Sequence, residues 1–503
     1  MSAASSTLDE SIDPLDKQAM QPPLTPVLVI LWSRDEDHLV GSCLLPLPTG
    51  ESTFGRDVGE GTVALVQQQP GNLRRIASTR NPRLSRAQLR LARVDDSLAV
   101  ENVGRCPLFH QGSERTQCVV RPGETIQLGS QMLLLCTTRP TWMVPDPGGS
   151  IPEHPFGLAD GHGLVGESLA LWQLRQSIAF VARSPGHVLI LGPSGSGKEL
   201  VARALHASSP RAPRPLVSRN AATLPEGLID AELFGNIRNY PNPGMAERPG
   251  LIGQAHQGSL FLDEFAEMPV SAQTHLLRVL DAGDYQRLGD ATPRQADVRL
   301  IAATNRPREA LRDDLAARLL HVITVPPLDA RREDIPLLVR HQLRQLAAAD
   351  ASLARFFTAD GEPQVDLSLV AALVERSYRT NTRELHGLLW SAIRHSPGAV
   401  LMPPPELAVD ELTPTSPVSG RPSSSPSWSS SVSSGRPSSS PSWQTDPNAP
   451  TPEQIQACLN ANNGSIERSW APLGLSSRHA LRRLITKYGL EIRRRAGSIP
   501  DEE

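Results

Sequence analysis

The sequence predicts a multidomain protein: an all-β sandwich, an α/β unit with a helical lid, and a small all-α unit on a tether. Three observations predict it. Between 25 and 138, short β-rich runs such as PVLVILW, GTVALVQQ and QMLLLCTT are split by turn residues, as in a sandwich. Between 161 and 328, short apolar runs alternate with helical patterns, and from 329 to 396 only the helical period remains. Residues 413–450 hold 15 Ser and 8 Pro among 38 positions and separate this region from a last helical stretch.

Residues 1–24 are polar and read as a disordered tail. The sandwich follows at 25–138, and 139–160 (RPTWMVPDPGGSIPEHPFGLAD) reads as a Pro/Gly connector. In the α/β unit, 161–328, the runs at 187–191, 259–262 and 298–303 are short and bounded, as buried parallel strands are. Helical patterns at 199–207 and 272–282 lie between them. The lid spans 329–396, and 397–450 reads as a Pro/Ser-rich linker in which GRPSSSPSW occurs twice. The final unit is 451–497, with a short tail at 498–503.

Composition narrows the function. The 503 residues carry 50 Lys and Arg against 53 Asp and Glu, a net charge of -3, which excludes a uniformly basic nucleic-acid coat but not a local basic patch. Five cysteines are scattered without a C-x-x-C pair, so neither a disulfide framework nor a cysteine zinc site is expected. The first residues are acidic and no apolar run approaches the roughly 18 residues of a membrane span. A cytoplasmic protein without a membrane partner is expected. Of the basic residues only Lys17, Lys198 and Lys487 are lysine. A lone Lys in so long an arginine-using stretch asks what arginine could not do there.

Gly192, Pro193, Ser194, Gly195, Ser196, Gly197 and Lys198 answer it. They fit G-x-x-x-x-G-K, after a predicted strand and before a predicted helix. Glycines let backbone N–H groups close around phosphates, and the helix N-terminus adds its dipole. Lys198 reaches the terminal phosphates as a point charge, where the wide arginine fork would not fit. The next residue is Glu199, so the usual hydroxyl for magnesium is missing. Asp263 and Glu264 end an apolar strand about 65 residues downstream. Asp263 suits a magnesium partner, directly or through water. Glu264 suits orientation or deprotonation of an attacking water.

Residues 161–396 resemble the AAA+ domain of bacterial enhancer-binding proteins, the activators of sigma-54 RNA polymerase. GPSGSGKE resembles that family's GESGTGKE, so Glu199 is normal for it. ELFG at 232–235, GSLFLDE at 258–264, VRLIAATNR at 298–306, PPLDARREDIPLL at 326–338 and NTREL at 381–385 also match. The resemblance implies ATP and Mg2+, with ATP hydrolysis in a hexameric ring. It implies that Asn220 holds the catalytic Glu until ATP binds, that Thr304 and Asn305 sense the γ-phosphate, and that Arg312 and Arg318 reach a neighbouring subunit's nucleotide. Arg383 becomes the sensor on the lid, and Leu164, Val165 and Gly166 cradle the adenine.

One departure matters. Where the family has GAFTGA, the loop tip that grips sigma-54, this chain has Asn239, Tyr240, Pro241, Asn242, Pro243 and Gly244. Two prolines fix φ and remove two donors. The ATPase machinery is expected intact and conventional sigma-54 remodelling impaired or absent. Tyr240 could supply an aromatic contact one step away.

The β-rich unit resembles a forkhead-associated domain. Phe54, Gly55 and Arg56 match its FGR strand end. Leu84, Ser85 and Arg86 match its SRxH loop, with Gln88 in the His position. The resemblance implies phosphothreonine binding by Arg56, Ser85 and Arg86, and a Ser/Thr kinase input. The C-terminal unit resembles a Fis-type helix-turn-helix. Residues 465–497 carry a local balance of +6. The resemblance implies DNA contacts from Ser477, Arg478, His479, Arg482 and Arg483. The expected whole is an ATP-hydrolysing, DNA-binding transcriptional regulator with a phosphopeptide-sensing front end. The alternatives are a DNA-bound scaffold or repressor using ATP structurally, and a remodeller of another client.

Overall fold

Alternation in the first strand sets the architecture. In β1 (Leu24–Ser33), Leu28 and Ile30 point to one face, Val27, Val29 and Leu31 to the other, and all five are buried. A strand apolar on both faces must be covered twice. The computed structural model describes residues 22–408, except 58, 60, 146–150, 225–227 and 241, together with 452–461, 469, 472 and 473. The chain divides into two units, Met1–Thr415 and Ser416–Glu503.

The sandwich strands are β1, β2 (Cys43–Leu45), β3 (Glu51–Phe54), β4 (Ala64–Gln69), β5 (Asn72–Arg75), β6 (Leu89–Val94), β7 (Ser97–Asn102), β8 (Leu108–His110), β9 (Ser113–Arg115), β10 (Gln117–Val120), β11 (Thr125–Leu128) and β12 (Met132–Pro140). One sheet runs β5-β4-β2-β1-β12-β11-β8-β9 and the other β10-β7-β6-β3. Leu28, Ile30, Phe54, Leu89, Leu91, Val100, Leu128 and Leu134 fill the space between them. The tail thus gives way to strand at Leu24, one residue before the expected boundary, and β12 runs two residues into the expected connector.

The next elements are α1 (Leu169–Ala182), β13 (Val188–Leu191), α2 (Lys198–Ala207), β14 (Leu216–Asn220), α3 (Ile229–Phe234), α4 (Gly250–Gln254), β15 (Ser259–Asp263), α5 (Val270–Ala282), β16 (Asp284–Tyr285), β17 (Arg294–Gln295), β18 (Arg299–Thr304), α6 (Asp313–Arg318) and β19 (His321–Thr324). Five strands form a parallel sheet in the order β14-β15-β18-β13-β19. Ser168 starts α1 by accepting the Leu171 N–H. Buried Arg299 closes its far end, donating to the carbonyls of Val181 at 2.7 Å and Ala182 at 3.2 Å. These are carbonyls a helix leaves without partners.

The lid contains α7 (Ile335–Ala349), α8 (Leu367–Glu375) and α9 (Asn381–His395). It does not stop at 396. Leu401 is fully buried and bridges to Val365, and α10 (Pro405–Ala408) buries Leu407 in the same core. The prolines at 403–405 made this stretch read as linker, whereas two leucines tie it down.

The lid covers the Leu31 end of that second face of β1. Leu31, Val40, Leu133 and Leu135 of the sandwich share one core with Leu337, Leu343, Phe356, Leu369 and Leu389. Trp32 Nε1 donates to Val365 O at 2.8 Å, and Arg340 Nη1 to Asp37 O at 2.7 Å. The expected connector also packs: His154 stacks on Trp172, with ring centroids 5.4 Å apart. No described helix is long and apolar enough to cross a membrane. In the second unit, α11 (Pro452–Ala461) buries Ile455 and Leu459. Ser477, Arg478, His479, Arg482 and Arg483 lie outside the described residues.

Candidate active site

The loop after β13 turns sharply into α2. Gly195 has φ +72°, and a Cβ there would meet Thr380 O at 2.1 Å; Gly197 has φ +104°. Both conditions require glycine. Lys198 is 6% exposed, and its ammonium donates to Gly192 O at 3.1 Å and Pro193 O at 3.4 Å. Ser196 Oγ is buried and has no hydrogen-bond partner among the described residues. Glu199 does not join them. It pairs with Arg203 at 2.6 Å on the solvent side, and its side chain is 57% exposed.

The acidic pair sits at the next strand ends. Asp263 closes β15, and its carboxylate accepts the Glu264 N–H at 2.9 Å. Glu264 is held at φ +49°, a strained conformation for a residue with a side chain. Asn220 is the register partner of Asp263 across β14 and β15. Its side chain caps the following turn, accepting the Ala222 N–H at 2.9 Å, and makes no hydrogen bond to Glu264 among the described residues. Thr304 ends β18, fully buried, and its carbonyl accepts the Gly192 N–H at 3.2 Å. Asn305 is exposed. The parallel sheet therefore delivers the loop, the acids and Thr304 to one edge, where ligands meet such sheets.

The lid closes on the loop from above. Arg383 Nη1 donates to Ser194 Oγ at 3.1 Å, and Thr382 Oγ1 to Gly195 O at 2.7 Å. Asn381, at φ +49°, donates to Ser194 O at 2.9 Å and accepts the Leu328 N–H at 2.7 Å. Asn381 joins lid and loop in one residue, and the sequence reading did not single it out. The asparagine opening NTREL was the available signal. Leu164, Val165 and Gly166 are fixed by a second unforeseen pair. Arg175 donates to Leu164 O and Gly166 O, at 3.0 and 2.9 Å, and to Asp160 Oδ2 at 2.8 Å. Burial pushes the Asp160 carboxyl up, but Arg175 and the N–H groups of Leu164 and His162 outweigh it and hold it below its ordinary value.

Arg312 and Arg318 lie on or beside α6 and touch no residue of their own phosphate loop. Arg312 grips Asp314 at 2.6 Å, and Arg318 grips Asp281 through two contacts of 2.7 and 3.1 Å. Each hydrogen bond holds its aspartate below the usual carboxylate range.

The Sigma-54 interaction domain family matches residues 164–327. Residues 164–327 are thus a sigma-54 interaction domain. It is 42% identical over 249 residues to the transcriptional regulatory protein ZraR of Escherichia coli K12, covering 48% of this chain and 54% of that one. It is 32% identical over 404 residues to the formate hydrogenlyase transcriptional activator of Salmonella typhimurium, covering 78% of this chain and 50% of that one. A structure of NtrX from Brucella abortus in complex with ATP aligns at 31% identity and TM-score 0.43, covering 65% of this chain and 69% of that one. The chain spans about half the length of these curated relatives.

Within the sigma-54 interaction domain, the described residues around the altered loop tip are tied to one another. Buried Asn236 donates to the carbonyls of Ile237 at 2.9 Å, Tyr240 at 3.2 Å and Ala246 at 3.0 Å. Asn239 accepts the Gly244 N–H at 3.0 Å. The Tyr240 ring lies against Gly289, where a Cβ would meet it at 2.6 Å. Pro241 is outside the described residues.

In front of that domain, the sandwich brings its predicted residues together. Arg56 N–H donates to Ser85 O at 3.1 Å, and the Asp57 N–H to Arg86 O at 3.1 Å. Arg56 Nε holds Leu84 O at 2.6 Å, and Ser85 Oγ accepts the Arg105 N–H at 2.9 Å. Gln88 is fully buried and braces the loops: it accepts the Ser85 N–H at 3.0 Å and donates to Asn102 Oδ1 and Cys106 O, at 2.7 and 2.8 Å. Arg56, Arg80, Arg83, Arg86 and Arg105 form no ion pair among the described residues.

Proposed function

We propose that this chain is an ATP-hydrolysing regulator of transcription that assembles into a ring, hexameric as in the family reading, and binds DNA upstream of promoters through Ser477, Arg478, His479, Arg482 and Arg483. The observation that carries it is the convergence of the Lys198 loop, Asp263, Glu264 and Thr304 at one sheet edge beneath Arg383. The loop's N–H groups and Lys198 bind the β- and γ-phosphates, and Ser196 Oγ is a free donor for them. Leu164, Val165 and Gly166 take the adenine. The Asp263 carboxylate is a hard oxygen ligand of the kind Mg2+ takes, and the metal would neutralise phosphate charge there. Glu264 orients a water on the γ-phosphorus and takes its proton as the new P–O bond forms and the bond to ADP breaks. Asn305 and Thr304 register the loss. Arg312 and Arg318 complete the site of the next subunit.

The replaced loop tip favours a second reading, a DNA-bound regulator that contacts sigma-54 weakly or serves another client. Turnover measured against protein concentration and open-complex formation with sigma-54 polymerase test both. Turnover should rise with assembly, while open-complex formation should stay far below that of a relative bearing GAFTGA. Absent turnover at every concentration would leave the scaffold reading; near-normal open complexes would refute the loop argument.

The sandwich reads phosphothreonine in the same proposal, supported by Arg56, Ser85 and Arg86 meeting at one end beside other unpaired arginines. Each charge-assisted hydrogen bond to phosphate is worth about 1.5–3 kcal/mol. Arg56→Ala should therefore weaken a phosphothreonine peptide by tenfold or more, with only the small drop in melting temperature that losing its bond to Leu84 O brings. Equal binding of phosphorylated and unphosphorylated peptides would remove the sensor.

A further inference from the structure

One buried ion pair lies outside everything assigned so far. Arg139, at the end of β12, is 1% exposed, and its Nη2 meets Glu333 Oε2 at 2.9 Å. Arg139 Nε has no hydrogen-bond partner among the described residues. Glu333 precedes Asp334, which accepts the N–H groups of Glu167 and Ser168, at 2.7 and 2.9 Å, and the Ser168 hydroxyl at 2.5 Å. The Asp334 carboxylate fills the place a Cβ on Gly166 would need, 2.4 Å away. Two residues before Glu333, buried Arg331 reaches Ser196 O of the phosphate loop at 3.4 Å. Residues 331–334 therefore touch both walls of the nucleotide site, and the sandwich holds them by a guanidinium.

Adhesion alone does not call for that guanidinium. Leu31, Val40, Leu133 and Leu135 already bury the sandwich face against the lid. Apolar residues of similar volume often replace a buried ion pair without loss of stability. What a two-ended charged contact adds is direction: Glu333 is drawn to one point, and Asp334 is set beneath residues 166–168 as a result.

We infer that Arg139 is a positioning residue for the nucleotide site, acting through Glu333 on the segment that joins residues 166–168 to the phosphate loop. This rests on the reading of residues 192–198 as an ATP site. It makes a strand of the front end part of the nucleotide-holding framework, so a change in the sandwich reaches ATP affinity.

The test is a titration of the full-length protein with a fluorescent ATP analogue and Mg2+, alongside steady-state turnover and thermal unfolding. Arg139→Met alone strands a buried carboxylate and unfolds the interface, so the informative variant is Arg139→Met/Glu333→Met. It should melt close to wild type, bind roughly tenfold more weakly and turn over within about twofold of wild type at saturation, within the range of coupling carried through packed and ion-paired networks. A purely structural pair would leave affinity unchanged once folding is restored, and that result overturns the inference while leaving the ATP reading intact. Wild-type protein that fails to bind the analogue overturns the ATP reading itself. If the double variant does not fold, Arg139→Lys decides: it keeps the charge but loses the fork, and wild-type affinity in it overturns the inference, whereas a few-fold loss at an unchanged melting temperature sustains it.

Discussion

Lys198→Ala is expected to abolish MgATP binding, and Glu264→Gln to leave binding intact while stopping hydrolysis. The Lys198 ammonium is almost fully buried and rests on two loop carbonyls, with no carboxylate beside it. A cation held that way in the dry neck of the loop is ready for phosphate oxygens and has no other acidic partner. Removing it leaves the loop's dipoles without their one full charge. Glu264 contributes differently. It stands at the end of β15 in a left-handed conformation, beside Asp263 but not in its place. Losing its carboxylate costs proton transfer and water alignment, roughly a thousandfold in turnover on the scale of general-base catalysis, and no contact to the bound nucleotide. Calorimetric titration and phosphate release on the two variants check this. Unchanged turnover in either would remove the enzyme.

Arg318→Ala should lower turnover by about a thousandfold with little change in affinity, the usual worth of an arginine completing a phosphoryl-transfer site. Arg312→Ala should behave alike. Both side chains engage carboxylates of their own protomer, Asp281 and Asp314, and neither reaches its own phosphate loop. In the proposed ring their service goes to another subunit's nucleotide. The decisive measurement mixes two inactive proteins, Arg318→Ala and Lys198→Ala. Mixed rings contain intact sites, in which a subunit with Lys198 faces a subunit with Arg318, so activity should return on mixing. A mixture that stays inactive would place the arginine's action within one chain.

The local features of this fold are written in the sequence because they depend on near neighbours. The glycines at 195 and 197, the apolar run ending in Asp263 and Glu264, and the helical period of the lid each follow from residues a few positions apart. Their strand and helix ends shift by only a residue or two from expectation. Contacts between distant segments are not legible in that way. Asp160 and Arg175 pin residues 164–166 through a pair of ordinary surface-type residues. Leu31 and Leu135 look like one more alternation in a strand until the lid covers them. Leu401 and Leu407 hide among prolines whose local meaning is a linker. Glu199 is the converse case: adjacent to the loop in sequence, it is carried to the solvent face of α2 by the helical turn.

The leucines shared by the front sheet and the lid bear on how such regulators are assembled over evolutionary time. An input unit joined by a loose string can be exchanged for any other by a single recombination event. Here a newcomer would have to bring a matching greasy surface and a guanidinium at the right height. Without them, the lid left behind would show bare leucines to water and clump. The front sandwich and the domain behind it are therefore expected to have been inherited as one piece.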